Sequence, residues 1–328
     1  LVGLRKDEHG RLLRRGLGPD WRQVVVVGSY NVGLTMSVPR FPVGGETIIG
    51  RSFAEGPGGK GSNQAIGAAR LGAETSFVGK VGSDRYGDDA VELWESEGVD
   101  ATQVGRTTET HTGVAFIIVD DDGENEITVA PGANDALDSD AVRSASSVIR
   151  NSDCLLLQLE IPDEPLITAA EIAADAGVPV VLNPAPAREL PSSLLENVTY
   201  LTPNESEALI LTGRDPTAAV GDEPLARELL ELGAETVVLT QGADGALLVT
   251  GEEIVSVSAP SVPVADTTGA GDAFNGAFAV ALGEGRPLQE TVRFACRAGA
   301  LEVTEMEVIP GLPEREEVDA MAEGSFEG

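Results

Sequence analysis

From residue 131 onward, short apolar runs alternate with helix-patterned segments, and that alternation restricts the fold more than any other feature of the chain. Residues 154–159, 178–182, 200–202 and 236–240 read as strands, and 164–176, 206–211 and 225–232 read as helices. Each helix must carry the chain back across one face of a sheet. The rhythm therefore predicts a three-layer α/β/α domain with a doubly wound, mainly parallel sheet. The four-valine run 24–27, ending at Gly28, reads as a further strand buried on both faces. Residues 63–71 read as a small-residue helix and 75–78 as a strand. Residues 88–97 form an amphipathic helix ended by Gly98, and 272–282, 288–304 and 315–323 are helical as well.

Two β-rich stretches interrupt this rhythm. Residues 32–57 are rich in Gly and Pro, with short β-type runs such as 46–49. Residues 112–119 and 126–129 flank the turn 120–124 and read as a hairpin, and so do 245–249 and 254–257. Segments of about 32–57 and 107–130 are expected to form a small separate β-sheet lid over a site in the domain 22–328. Residues 1–21 hold Arg5, Lys6, Arg11, Arg14 and Arg15 but no apolar core of a signal peptide, so a flexible tail is expected there. No apolar run reaches about 18 residues, which predicts no membrane helix, and a cytoplasmic location is expected.

The 328 residues carry 54 acidic and 22 basic side chains, a net charge of −32. So acidic a chain repels nucleic acid and anionic membrane, both of which call for clustered positive charge. The regular apolar segments argue against disorder. At about 1 M salt the Debye length is only about 3 Å, so surface repulsion costs little there. The composition points to a salt-in halophile. Aromatics make up only 4% of the chain, so Val, Leu, Ile and Ala must build the core. Cys154 and Cys296 lie in apolar stretches and read as buried free thiols. His9 and His111 are too few and too far apart for a histidine metal site.

The strongest chemical signal is Asp266-Thr267-Thr268-Gly269-Ala270-Gly271-Asp272, a small-residue turn that opens a helix. Such a turn leaves backbone N–H groups pointing outward at the positive end of the helix dipole, which makes an anion hole suited to a transferring phosphoryl group. Asp272 reads either as a helix cap or as a base that takes a hydroxyl proton. The second signal is the glycine-rich loop 56–65, GPGGKGSNQA, running into a helix. It lacks the Gly-x4-Gly-Lys-[Ser/Thr] spacing of a P-loop.

These two segments, in this order, resemble the two signatures of the ribokinase-like (PfkB) carbohydrate kinases. Gly28-Ser29-Tyr30-Asn31, Gln158-Leu159-Glu160, Asn183-Pro184-Ala185-Pro186-Ala187, Thr202-Pro203-Asn204-Glu205 and Thr240-Gln241-Gly242 extend the resemblance over roughly 23–320. Within the family, GGKGSNQA and NPAPARELP are most similar to ribokinases. The resemblance implies that Asp272 is the base and that Gly269, Ala270 and Gly271 form the anion hole. It puts Asn31, Gly33, Gly59, Lys60, Asn63, Glu160 and Asp272 on the sugar side. Asn204, Thr240, Gly242 and Gly271 would face the nucleotide. Asn204 and Glu207 would organise Mg²⁺ through water, and the alternative for that pair is a helix cap with a solvated face. Asp266 and Thr268 resemble the start of a monovalent-cation (K⁺) site.

The chain departs from the family twice. Gly33 stands where ribokinases carry an aspartate that hydrogen-bonds two sugar hydroxyls. Losing that carboxylate costs a neutral sugar a few kcal/mol unless another group replaces it. Replacement by another residue, a deoxy sugar, or a sugar that already carries a phosphate would each account for the glycine. Arg40, Arg51 and Arg106, in or beside the expected lid, suit phosphate recognition or ordinary surface ion pairing. The second departure is Thr304-Glu305-Met306-Glu307-Val308-Ile309-Pro310, near the expected K⁺ loop, where ribokinases tend to have Gly-Ala.

The expected activity is ATP-dependent transfer of a phosphoryl group to the primary hydroxyl of a pentose, ribose to ribose 5-phosphate. The alternatives are a pentose-phosphate kinase acting on ribose 1-phosphate, and a deoxyribose, nucleoside or hexose kinase. Phe41, Phe53 and Phe116 are the only lid-region aromatics for stacking a nucleoside. A non-catalytic sugar or nucleotide sensor is the rival of another class, and it would have lost the base or the anion hole. Lid-to-lid pairing in a homodimer would protect the small sheet's edges.

Overall fold

Val24, Val25, Val26 and Val27 are at most 1% exposed, because parallel strands flank them on both sides and helices cover both faces. The computed structural model describes residues 5–6, 12–13 and 22–322. Most of the expected tail 1–21 lies outside the described residues, apart from an antiparallel pairing of β1 (Arg5–Lys6) with β2 (Leu12–Leu13).

The chain then forms β3 (Gln23–Val27), β4 (Asn31–Ser37), β5 (Ser52–Gly58), α1 (Lys60–Arg70), β6 (Glu74–Gly82), α2 (Arg85–Ser96) and β7 (Asp100–Thr107). Next come β8 (Gly113–Val119), β9 (Asn125–Ala130), α3 (Ser139–Ser144), α4 (Ser146–Asn151), β10 (Cys154–Gln158), α5 (Asp163–Asp175), β11 (Val180–Asn183) and α6 (Ser192–Leu195). The last third comprises β12 (Tyr200–Leu201), α7 (Glu205–Leu211), α8 (Asp222–Glu231), β13 (Thr236–Thr240), β14 (Ala246–Val249) and β15 (Ile254–Val257). It closes with α9 (Ala270–Gly283), α10 (Leu288–Glu302), α11 (Val308–Gly311) and α12 (Arg315–Ala322).

Nine strands form one sheet in the order β15-β14-β13-β12-β11-β10-β3-β6-β7, and all neighbours are parallel except the β13-β14-β15 meander. Successive side chains on a strand face opposite ways, so one strand feeds two cores. Val24 and Val26 pack with Ala65, Trp94, Phe278 and Phe294 of α1, α2, α9 and α10. Val25 and Val27 pack with Leu166, Leu195 and Leu229 of α5, α6 and α8 on the opposite face. This is the expected three-layer arrangement. Cys154 and Cys296 are buried free thiols. Among the described residues, no helix is long and apolar enough to cross a membrane.

A second sheet of four strands, β5-β4-β8-β9, stands apart from the first. Its central pair is parallel and its outer pairs are antiparallel. Asp84 fastens it to the body: Thr112 donates to Asp84 Oδ2 from its backbone N (2.8 Å) and to Oδ1 from its hydroxyl (2.7 Å). Residues 46–49, expected as a β-run, are not a strand. They lie in the connection after the turn at 44–45, because that stretch finds no ladder partner while 31–37 and 52–58 pair with each other. Residues 100–107 extend the large sheet as β7, so Thr107 belongs to the body and the first strand of the hairpin starts at Gly113.

Candidate active site

The carboxyl ends of the parallel strands are where a doubly wound sheet places its ligands. Here they carry Ser29 after β3, Glu160 after β10, Asn183 at the end of β11, Asn204 after β12 and Thr240 at the end of β13. The N-termini of α1 and α9 meet them from one face.

Asp272 lies in the first turn of α9 and is 5% exposed. Both of its oxygens are held from α1. Asn63 Nδ2 donates to Oδ2 at 2.8 Å, and Gln64 Nε2 donates to Oδ1 at 2.9 Å. Behind this pair runs a chain of amides. Gln64 Nε2 also donates to Asn183 Oδ1 (3.1 Å), Gln158 Nε2 donates to Gln64 Oε1, and Asn275 Nδ2 donates to Gly271 O (2.7 Å). Neutral amide donors on each oxygen hold this buried carboxylate in one orientation and leave lone pairs free to accept from a further donor.

Gly269 caps α9 with φ +102°, and a Cβ there would collide with Glu302 Oε1 and lie 2.7 Å from Val308 Cγ1. Only glycine makes this turn. The backbone N–H groups of Asp272 and Ala273 return to Gly269 O (2.8 and 2.9 Å), whereas those of Ala270 and Gly271 find no acceptor among the described residues. Nothing stands within 4 Å of a Cβ built at Gly271, so the turn is open on that side. Gly269, Ala270 and Gly271 thus make a helix-start turn with two free N–H groups directly before the carboxylate, a geometry that suits an anion.

The other expected residues gather on two sides. Toward the small sheet, Glu160 Oε2 accepts from the Ser29 hydroxyl, from Asn31 Nδ2 (3.3 Å) and from the backbone N of Lys60 (3.0 Å). Asn134 Nδ2 donates to Asn31 Oδ1 at 2.9 Å. Gly59, at φ +91°, packs so tightly that a Cβ would lie 2.6 Å from Asn31 N. A cavity of about 510 Å³ opens beside Asn31, Asn134 and Glu160. Gly33 pairs with Gly56 across β4 and β5. A Cβ at Gly33 would meet only ordinary neighbours, Gly56 O at 3.5 Å and Ile117 Cδ1 at 3.7 Å.

On the opposite side, Asn204 bridges to Thr240, and Gly242 follows in a short 3-10 turn. Asn204 and Glu207 form a capping box on α7. Glu207 N donates to Asn204 Oδ1 (2.8 Å), and Asn204 N donates to Glu207 Oε2 (2.9 Å). Burial pushes the Glu207 carboxyl above its ordinary range, against the pull of the Asn204 N–H and of Lys60.

Arg40, Arg51 and Arg106 are each engaged with a neighbouring acid. Arg40 pairs with Glu46 at 2.5 Å, Arg51 with Asp121, and Arg106 with Asp88 at 2.6 Å. Arg106 sits on β7 of the large sheet. Ordinary ion pairing is thus what the structure gives these arginines. Asp266 Oδ1 accepts from Thr268 N at 2.9 Å, and Ala265 and Asp266 dock by their N–H groups on Val303 O.

Sequence reasoning passed over three side chains here. Gln64 was visible in the glycine-rich signature and Asn183 in the Asn-Pro-Ala-Pro run. Glu302, 1% exposed on α10, gave no signal because a single acid near a helix end reads as a surface residue. Its carboxyl lies beneath Gly269, its Oε2 has no hydrogen-bond partner among the described residues, and burial together with Asp266 and Asp272 pushes its pKa up to about 8.

A buried, amide-clamped carboxylate beside an anion-binding helix N-terminus, at the switch edge of a doubly wound sheet, defines a phosphoryl-transfer enzyme. The sequence from residue 22 to 315 matches the pfkB family carbohydrate kinase model. It is 40% identical to ribokinase of Haemophilus influenzae over 90% of this chain and 97% of that protein. It is also 40% identical to ribokinase of Bacillus subtilis, over 92% and 99%. The structure resembles that of Arabidopsis thaliana ribokinase complexed with ribose and ATP, with a TM-score of 0.86 and 35% identity over 92% of this chain and 98% of that one. It also resembles ribokinase of Thermotoga maritima, with a TM-score of 0.84 and 37% identity over 92% and 99%. The chain belongs to the pfkB family of carbohydrate kinases.

Proposed function

We propose that this protein is an ATP-dependent ribokinase that converts ribose to ribose 5-phosphate. The observation that carries the reading is Asp272, fixed by Asn63 and Gln64 one step from the free N–H groups of Ala270 and Gly271. The primary hydroxyl of the pentose meets Asp272. Its oxygen forms a bond to the γ-phosphorus as the bond to the ADP oxygen breaks, and its proton passes to Asp272. The N–H groups of Ala270 and Gly271 meet the charge on the transferring group. Asn31, Glu160 and Asn63 orient the sugar, and Thr240 and Gly242 border the nucleotide. The four-stranded sheet acts as a lid that excludes water, which limits ATP hydrolysis.

Glu207 keeps one carboxylate oxygen outside its capping box, and no three acidic, His or Cys side chains converge among the described residues. That set suits Mg²⁺ held by water and the nucleotide's own phosphates, with Asn204 and Glu207 behind the water; the ion supplies charge neutralisation. The unpartnered Oε2 of Glu302, near Asp266, fits a K⁺ ion or a proton beneath the anion hole.

The lid also supports a homodimer. Met36, Phe53 and Phe116 share one face of the small sheet by register and are exposed. Ile49 on the connecting loop is exposed too. Burying that face against a second copy covers both apolar surface and strand edges. Sedimentation in about 2 M KCl, where surface charge is screened, tests this, and a monomer there contradicts it. The acid excess fits work at such salt in the cytoplasm of a halophile.

Gly33 favours one second reading. The glycine leaves out a carboxylate that would repel an anionic substrate, so ribose 1-phosphate is the alternative acceptor. The paired Arg40, Arg51 and Arg106 lend it nothing. ATP consumption with Mg²⁺ in about 2 M KCl, compared among ribose, 2-deoxyribose, ribose 1-phosphate and fructose, separates the readings. Turnover of ribose supports a ribokinase, and turnover of ribose 1-phosphate alone contradicts it.

A further inference from the structure

The four-stranded sheet has two faces, and Asn31 shows which one borders the site. Its side chain bonds Glu160 and Asn134. Side chains alternate along a strand, so Gly33 is the next position of β4 on that same inner face. Its ladder partners are Gly56 on β5 and Ala115 on β8, and Ala115 pairs in turn with Val129 on β9. A Cβ at Gly33 would lie 3.7 Å from Ile117 Cδ1, which puts Ile117 on the inner face as well. Thr35, the next residue of β4 on this face, is about 7 Å farther along the strand.

The hydrogen-bonding side chains lie elsewhere. Glu55 belongs to the other face, opposite Leu34, and Arg85 engages it. Toward the body, Asn31 bonds Glu160, Glu160 accepts from the first residue of α1, and Asn63 on that helix bonds Asp272. The site is therefore polar on the side of the body and apolar where the small sheet borders it around Gly33.

We propose that this kinase takes 2-deoxyribose as a second acceptor, and that Gly33 is the residue that admits it. The inference rests on the kinase reading given above and names a further substrate of the same site. With the primary hydroxyl at Asp272, the 3-hydroxyl sits on the carbon next to the one that carries the hydroxymethyl group and stays at the polar end. The 2-hydroxyl is one carbon farther away and faces the lid. The reaction is unchanged: the 5-hydroxyl oxygen bonds the γ-phosphorus, the bond to the ADP oxygen breaks, and the proton passes to Asp272, giving 2-deoxyribose 5-phosphate and ADP. A site that hydrogen-bonds a hydroxyl rejects the analogue without it by about 10⁴–10⁵-fold, because its own buried polar groups are then left unpaired. An apolar wall has no such group to strand, and its discrimination stays at about 10²-fold or below.

The test is kcat/KM for ribose and for 2-deoxyribose, with Mg-ATP in concentrated KCl, in wild type, Gly33→Asp and Gly33→Ala. Wild type should prefer ribose by less than about 10²-fold. Gly33→Asp sets a carboxylate on the inner face and should raise that preference at least about tenfold through ribose alone, the effect of one hydrogen bond to a charged group. Gly33→Ala adds bulk without an acceptor and should keep the wild-type ratio. The ratio compares two sugars on one variant, so partial unfolding cancels from it. A wild-type preference for ribose beyond about 10²-fold, or a ratio that Gly33→Asp leaves unmoved, would overturn the proposal and leave the ribokinase reading intact. Turnover of neither sugar would sink both.

Discussion

Gln64 holds Asp272 with one hydrogen of its side-chain amide, 2.9 Å from Oδ1, and spends the other on Asn183, 3.1 Å away. Its oxygen accepts from Gln158. The amide cannot turn without breaking three buried contacts, so the carboxylate is aimed by α1 and not by its own helix alone.

Replacing Gln64 by Ala should therefore lower kcat by about 10–100-fold, because misplacement by an ångström costs that much, while leaving the KM for ATP unchanged. It should also cost about 1–3 kcal/mol of stability through unpaired buried groups. Gln64→Ala kinetics beside a denaturant titration check both. Unchanged kcat would mean that Asn63 alone aims the base.

Gly269 and Gly271 do different work within three residues. Gly269→Ala forces a Cβ at φ +102° into Glu302 and should destabilise the fold by at least about 1–3 kcal/mol. Gly271→Ala meets nothing within 4 Å, so it should fold normally, but a methyl added to the turn that carries the free N–H groups should crowd the transferring phosphoryl group and lower kcat. Thermal melting and activity of the two variants, side by side, check this contrast. Equal melting temperatures would refute the steric account of Gly269.

Much of this was legible in the sequence. The four valines gave a strand buried on both faces, and each core contains alternate members of that run. The two glycine-rich signatures pointed to the Asp272 carboxylate and to the turn before it because the pattern is local: a turn, a helix start and a carboxylate in consecutive residues. The strand at 100–107 was hidden because DATQVGRT lacks an apolar run; it forms at the sheet edge, where ladder bonds to β6 replace burial. The run 46–49 misled for the opposite reason, since it has β-type residues but no neighbour to pair with. Asn204 and Glu207 were read as metal-shell residues or a helix cap, and the hydrogen bonds display the cap. Glu302 could not be found, because its burial depends on the 265–269 turn folding onto α10 from elsewhere in the chain.

Glu302 makes stability depend on pH with a definite sign. Burial raises its pKa from 4.5 to about 8, so the folded state holds a proton that the unfolded chain releases. Stability from this group is full below about pH 4.5, falls as pH rises, and is lost beyond about 8, a swing on the order of a few kcal/mol. Melting of wild type and Glu302→Gln between those limits, in choline chloride so that no small cation neutralises the carboxyl, reads it out. The variant should melt higher at the alkaline end and depend less on pH. Identical pH profiles would contradict the burial account.

The most direct test of the central claim is ribose-dependent ADP formation by wild type and Asp272→Asn, with Mg²⁺ in about 2 M KCl. Asparagine keeps the shape of the side chain; its oxygen still accepts from Gln64, and Asn63 can turn its unpartnered Oδ1 to accept from the new NH2, but the amide cannot take a proton. The expected result is a loss of about 10²–10⁴-fold in kcat, with ribose and ATP still bound and the melting temperature close to wild type. Activity equal to wild type in Asp272→Asn would contradict Asp272 as the base.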